Sequence, residues 1–281
     1  MPMEKAPVCK ILPYSVVDGP GSRAAIFLQG CNIACAYCHN PETQRLCSGC
    51  GLCISVCPAG ALYWSDRKVA WAEDKCLACD ACIMACEHRA TPKVMELDAT
   101  QVFARIESSL PFIRGITVSG GECTLYPAFL EELFSLCQNK NLGCLIDSNG
   151  MTDFERYPRL LSLCDGIMLD VKAWDTAVYH RLTGAENGIV KKNLILLHRA
   201  GKLYEIRIVC LPGEVDVKAV LHGIVQTLGP DGTYTLPLKL IRFRPFGVRG
   251  RLESALPPTD EQMHNFAQEA MTAGFGNVLI L

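Results

Sequence analysis

No run of about 18 apolar residues occurs in the chain, so nothing in it reads as a membrane-spanning helix. Residues 1–13 also lack the continuous apolar core of a signal peptide, and the two absences together lead us to expect a cytoplasmic protein. An excess of charge of one sign is missing too. With 27 basic and 29 acidic residues the net charge is −2, which offers no electrostatic footprint for nucleic acid or an anionic membrane surface; binding to either is not expected. What the chain has in abundance is cysteine, 17 in 281 residues. In a small secreted protein that number would suggest a disulfide scaffold, but in a chain long enough to bury a sizeable core, with the cysteines clustered, it points to metal.

The first cluster is Cys31, Cys35 and Cys38, spaced C-x3-C-x2-C with the aromatic Tyr37 just before the last cysteine and His39-Asn40-Pro41 after it. A probable strand, 23–29, leads into it. No fourth cysteine follows at the next short interval, and the paired C-x2-C ends of zinc modules are lacking. Three cysteines can hold three corners of a four-iron cubane and leave one iron open to an exogenous ligand, as a catalytic zinc site keeps one position free.

Two further runs fill residues 46–97. Cys47, Cys50, Cys53 and Cys57 are spaced C-x2-C-x2-C-x3-C and followed by Pro58, and Cys76, Cys79, Cys82 and Cys86 repeat the spacing. This doubled pattern is that of a two-cluster bacterial ferredoxin, in which the fourth cysteine of each run crosses to the other cluster. It assigns Cys47, Cys50, Cys53 and Cys86 to one [4Fe-4S] cluster and Cys76, Cys79, Cys82 and Cys57 to a second. Glu87-His88 stands where proline usually follows.

Beyond this segment, helical patterns at 98–109, 127–139, 152–163, 191–200, 215–227 and 259–273 alternate with short apolar runs at 115–119, 144–148, 166–171, 204–209 and 238–243. With the run at 24–28 these make six βα units, hence an α/β fold with a parallel sheet and its chemistry at the carboxyl ends of the strands. Six units predict a partial (β/α)6 barrel, formed by 1–45 and 98–281, with the double-cluster module of 46–97 inserted. The strand ends carry Ser119-Gly120-Gly121-Glu122, Asp147-Ser148-Asn149-Gly150, Met168-Leu169-Asp170-Val171-Lys172 and Arg207-Ile208-Val209-Cys210-Leu211-Pro212-Gly213. Taken singly, a Gly-Gly pair is more often a turn, and an Asp after a strand is as often a helix cap. Cys9, Cys123, Cys137, Cys144, Cys164 and Cys210 read as ordinary buried thiols.

Taken together, the cysteine loop and the strand-end motifs resemble the radical S-adenosylmethionine (SAM) superfamily. Asp18-Gly19-Pro20-Gly21 before Arg23, with the C-H-N ending of the loop, resembles its glycyl-radical-enzyme activating branch, in the class with two extra clusters and a YjjW-like arrangement. The resemblance implies three [4Fe-4S] clusters and SAM as cofactors, with Cys31, Cys35 and Cys38 holding the cluster that SAM completes. It places Tyr37, Cys38, His39, Gly120, Gly121, Glu122, Asp170, Val171 and Lys172 around SAM, with Lys172 neutralising its carboxylate. Asp18 falls toward the substrate glycine and Arg207 toward the cofactor or the substrate peptide, with Asp147, Ser148, Met168 and Asp170 around a monovalent cation. The family's histidine toward the SAM ribose has no counterpart near Arg244. The implied partners are a glycyl radical enzyme as protein substrate and flavodoxin or ferredoxin as reductant. A radical SAM enzyme acting on a small molecule or peptide, and a non-catalytic electron carrier built on residues 46–97, are the alternatives.

Overall fold

A computed structural model describes residues 4–88 and 90–281, so the first residues of the expected 1–45 segment and position 89 of the expected insert lie outside the described residues. The chain forms two compact units, one of residues 1–32 and 40–140 and the other of 33–39 and 141–281. The division cuts through the strands expected to make one barrel and groups the cysteine-rich segment with the first of them.

In the first unit, β1 (Lys5–Ser15) lies antiparallel between β2 (Arg23–Leu28) and β5 (Met95–Asp98), while β2 runs parallel to β6 (Gly115–Gly120). β2 and β6 are buried along nearly their whole length, as near-continuous apolar strings covered on both faces should be. Between β2 and β5 the cysteine-rich segment forms the one-turn helices α1 (Leu52–Ser55) and α2 (Ala81–Met84) on either side of the hairpin β3 (Leu62–Ser65) and β4 (Lys68–Trp71). The helices α3 (Ala99–Ile106) and α4 (Pro127–Gln138) complete the unit. Asp98 caps α3 reciprocally with Gln101, the side chain of each accepting from the other's backbone N–H.

The second unit is a five-stranded parallel array in sequential order: β7 (Gly143–Ser148), β8 (Gly166–Asp170), β9 (Leu203–Cys210), β10 (Pro237–Arg242) and β11 (Asn277–Ile280). Its helices are α5 (Pro158–Leu163), α6 (Thr176–Thr183), α7 (Gly188–Arg199), α8 (Val217–Leu228), α9 (Pro230–Tyr234) and α10 (Asp260–Ala273). Ile206, Ile208, Leu238 and Leu240 join Leu194, Val220, Leu221, Ile224 and Met263 from the helices in one buried core. Alternation then turns Glu205, Arg207 and Lys239 to the other face of the strands.

All six expected strands are present. Three expectations need correction. The helix at 152–163 begins only at Pro158, because Asp153–Tyr157 forms a separate tight turn. The sequence reading also passed over the eight-residue α6, and β1, β5 and β11 add strands outside the six units.

Candidate active site

Gly30 and Cys31 leave β2 under tight backbone control. Gly30 adopts a φ of 98°, its N–H donates to Thr43 O at 2.8 Å, and Cys31 N–H donates to Gln44 O at 2.9 Å. Buried Gln29 pins the returning chain by donating from Nε2 to Glu42 O and Arg45 O, at 2.8 and 2.6 Å. Gly120 and Gly121 pack directly on this turn. A Cβ on Gly120 would lie 2.1 Å from Leu28 O, and one on Gly121 2.1 Å from Gly30 O and 2.6 Å from Thr43 O. Glycine is therefore required here by backbone meeting backbone. The N–H groups of Gly121 and Glu122 donate to Leu28 O and Gly30 O, at 2.9 and 2.8 Å, and a ligand's ammonium group would have the carbonyls of this segment as acceptors. The Glu122 carboxylate is buried and accepts from Thr124 N–H and Oγ1, which makes it the cap of the turn Cys123–Leu125. Cys123 is the buried thiol expected, donating to Val118 O at 3.3 Å.

Asp18 is held lower on the same strands. Its carbonyl accepts from Thr117 Oγ1 at 2.5 Å and its carboxylate from Ser15 Oγ at 2.5 Å, while Arg23 donates to Thr117 Oγ1 and Ile116 O. Thr117 is three residues before Gly120, so this anchor lies roughly 10 Å along β6 from the Gly-Gly end.

In the second unit, α6 grips the rest of the cysteine loop: Ala34 N–H donates to Thr183 O and Ala36 N–H to Leu182 O, both at 2.8 Å. Tyr37, 1% exposed, packs in the core with Leu169, Val171 and Tyr179, and its hydroxyl has no hydrogen-bond partner among the described residues. Burial raises its pKa and keeps it protonated. The Lys172 ammonium stands 6.0 Å from the Tyr37 ring centre and pairs with Asp170 at 2.8 Å. Burial alone would discharge it, but Asp170 and then Cys35 hold its pKa well above the ordinary lysine value. Val171 N–H donates to Arg207 O. His39 accepts at Nε2 from the Arg244 backbone N–H at 3.3 Å, with its ring tilted over Phe243. Burial, followed by Arg244 and Lys172, brings its pKa down to about 4, so the imidazole is neutral. The position near Arg244, where the sequence offers no histidine of its own, thus receives one from the cysteine loop.

Asp147 and Asp170, expected to share a cation, each already face a cation of the chain. Arg207 Nη1 lies 3.0 Å from Asp147, and Lys172 is on Asp170. Met168 turns its sulfur to Arg207 Nη2 at 2.9 Å. Ser148 Oγ accepts from Gly150 N–H at 3.0 Å, closing the strand-end turn. Glu205 and Lys239, which the sequence reading passed over, complete this ionic group; their signal was charge alternating with isoleucine and leucine inside buried strands.

The two cysteine runs have the same backbone design. Gly49 and Gly51 flank Cys50 in left-handed conformations, with φ of 71° and 78°, and Ala78 and Asp80 flank Cys79 likewise, with φ of 51° and 57°. The second run adopts without glycine a geometry that costs an L-residue about 1 kcal/mol at each position. Cys53, Leu62 and Cys82 form a small core, and burial followed by the nearby sulfurs of Cys47 and Cys82 pushes the Cys53 thiol up to about 11. Cys57 shifts the other way: against a burial effect, the N–H groups of Ala61, Leu62, Ala59 and Gly60 lower its pKa, with Ala61 N–H 3.3 Å from the sulfur. Cys57, Cys76, Cys79 and Cys82 together line one small pocket, walled by Pro58, Leu62, Trp71 and Leu77. These are the four sulfurs that the crossed spacing groups into one cluster, and N–H groups directed at a thiolate suit a cluster ligand. All 17 cysteines are free of disulfides, and among the described residues no three His, Cys, Asp or Glu converge on a single-ion site.

Comparison with known proteins fits this arrangement. The model of the Radical SAM superfamily matches residues 25–221. The chain is 31% identical to the choline trimethylamine-lyase activating enzyme of Oleidesulfovibrio alaskensis, over 82% of this chain and 80% of that one. It is 29% identical to the indoleacetate decarboxylase activating enzyme of Tractidigestivibacter scatoligenes, over 94% and 93%. Among solved structures, QueE from Escherichia coli superposes with a TM-score of 0.56 at 14% identity, covering 99% of this chain and 94% of that one, a likeness of fold. The chain belongs to the Radical SAM superfamily. Its relatives within it are glycyl-radical-enzyme activating enzymes, and the chain is accordingly a radical SAM oxidoreductase.

Proposed function

We propose that the protein activates a glycyl radical enzyme by removing a hydrogen atom from the α-carbon of one glycine in that partner. A bound [4Fe-4S] cluster together with SAM would supply the one-electron reduction that cleaves SAM and so the group that takes the glycine hydrogen. The residues of the chain hold and orient. Cys31, Cys35 and Cys38 ligate the cluster. Lys172, kept cationic by Asp170, neutralises the SAM carboxylate; the carbonyls of Gly120 and Gly121 accept from its amino group; Asp170 and the neutral His39 stand toward the ribose. Asp18 orients the approaching peptide, Arg207 with Asp147 beside it stands toward SAM and that peptide, and the closely packed surroundings of Tyr37 limit side reactions. The observation that carries this reading is the backbone clamp of Gly120-Gly121-Glu122 on the Gly30-Cys31 turn, because it fixes the first cysteine of an open-cluster motif against a segment with carbonyls for SAM.

Two further clusters are proposed in 46–97, ligated as the spacing groups them; the cavity lined by Cys57, Cys76, Cys79 and Cys82 supports the second. Residues 46–65 contain no charged side chain and expose Leu46, Leu52, Tyr63 and Trp64 beside the exposed Cys47 and Cys50. Such a face suits a flavodoxin or ferredoxin that docks by apolar contact and delivers electrons at this end. The test is anaerobic reconstitution with iron and sulfide, then dithionite and SAM: 5′-deoxyadenosine should form in the wild type and not in Cys35→Ala. Formation by that variant would remove the proposal.

A further inference from the structure

We propose that Glu205 and Lys239 are positioning residues, a buried pair on β9 and β10 that locks the Arg207 guanidinium, and through it the Asp147 carboxylate at the end of β7, in the orientation that SAM binding uses. The proposal rests on the roles given to Arg207 and Asp147 in the function above.

Sheet register brings the group together. Asp147 is the direct neighbour of Met168, Asp170 of Arg207, and Arg207 of Lys239, so these side chains lie on one face across four strands. Glu205 precedes Arg207 by two residues and shares that face. Three of the four charges are buried, Glu205 and Arg207 at 8% exposed and Lys239 at 6%, with the Asp147 side chain partly open. Every nitrogen of the guanidinium is engaged. Nε donates to Glu205 Oε1 at 2.6 Å, Nη1 to Asp147 Oδ1 at 3.0 Å, and Nη2 abuts Met168 Sδ at 2.9 Å. A planar fork held at three nitrogens can neither rotate nor withdraw. Lys239 takes the other oxygen of Glu205 at 3.1 Å, which stops that carboxylate from turning and balances two anions with two cations.

Stability is a poor reason to keep four charges there. Desolvating ions costs several kcal/mol each, and well-packed apolar residues in place of a buried ion pair are often as stable or more so. What such a group supplies and an apolar one cannot is direction. Glu205 neighbours Met168 across the strands and bonds Arg207 and Lys239, and neither Glu205 nor Lys239 is among the residues expected to contact SAM, so their effect on binding passes through Arg207.

The test uses the reconstituted protein, with thermal unfolding and equilibrium dialysis of labelled SAM as readouts. Glu205→Met leaves two cations against Asp147 alone; its melting temperature should fall, and its SAM Kd should rise roughly tenfold, as expected for loss of a charged hydrogen bond. Glu205→Met with Lys239→Met restores neutrality with similar volume. Its melting temperature should recover while the Kd stays raised, because Arg207 Nε still lacks its acceptor. Recovery of the Kd together with the melting temperature would show a pair that only balances charge and would overturn the proposal. Glu205→Gln, which keeps the shape, should raise the Kd several-fold, and unchanged affinity there would overturn it equally. A wild type that binds no SAM would refute the function itself, whereas a wild type and double variant that bind equally would refute the positioning alone.

Discussion

Gly121→Ala puts the packing account of the Gly-Gly segment to a quantitative test. The added methyl would start 2.1 Å from Gly30 O and 2.6 Å from Thr43 O. Ordinary carbon–oxygen contacts begin about 1 Å farther out, and both obstacles are backbone, so the turn carrying Cys31 must itself move by on the order of 1 Å. Overpacking of this kind costs about 1–3 kcal/mol. The shift also strains two backbone hydrogen bonds, Gly121 to Leu28 and Glu122 to Gly30, each contributing about 1 kcal/mol. The expected sum is about 3–5 kcal/mol of stability if both bonds are lost, and a displacement of that size near reacting groups typically lowers a rate by about 100-fold. Gly201→Ala is the control: nothing lies within 4 Å of its added Cβ, and with φ of 64° it should cost only the left-handed strain of about 1 kcal/mol. Urea unfolding of both variants and the rate of 5′-deoxyadenosine formation read the difference. A Gly121→Ala protein as stable and active as Gly201→Ala would refute the reasoning.

Removing Cys31, Cys35 and Cys38 together should leave about eight of about twelve irons, those of the 46–97 segment, in an iron assay; loss of all iron would contradict separate clusters. Ala78→Gly should stabilise the second cysteine run by about 0.5–1 kcal/mol, since it relieves a left-handed alanine, and a lower unfolding midpoint would show that the methyl packs usefully. Electron delivery by a protein donor through the uncharged 46–65 face should change less than about twofold between 50 and 500 mM salt, and a steep fall would indicate steering by charge instead. Glu214 is held below the usual carboxylate pKa chiefly by its hydrogen bond to Arg251. Its contribution to stability is therefore present above pH 4.5 and lost as pH falls through the lowered value, so Arg251→Met should flatten the acid limb of a stability–pH profile. An unchanged limb would assign the acid sensitivity elsewhere.

Much of the architecture was legible because it is carried by local pattern. The apolar runs that became β2, β6, β7, β8, β9 and β10 are short, buried and bounded by turn residues, and the reciprocal caps of Asp98 with Gln101 and Thr259 with Gln262 mark the starts of α3 and α10. The grip of α6 on the cysteine loop was not legible, because it is made by the carbonyls of Leu182 and Thr183 and leaves no side-chain signature. Nor was the partner of Arg207. Glu205 and Lys239 are 34 residues apart, and only the register of β9 on β10 makes them neighbours. Nor could the sequence show that the Glu122 carboxylate is buried and caps the turn at Thr124. Sequence spacing grouped Cys57 with Cys76, Cys79 and Cys82, and these four line one pocket.

The central claim is that the hydrogen taken belongs to a glycine of a partner enzyme. A glycyl radical enzyme encoded beside this gene, prepared with glycine deuterated at the α-carbon and incubated anaerobically with the reconstituted protein, SAM and reductant, tests it most directly. The account predicts one deuterium in the 5′-deoxyadenosine and a glycine-centred radical in the partner's electron paramagnetic resonance spectrum. Unlabelled 5′-deoxyadenosine, with label transferred only when a deuterated small metabolite is supplied instead, would contradict it.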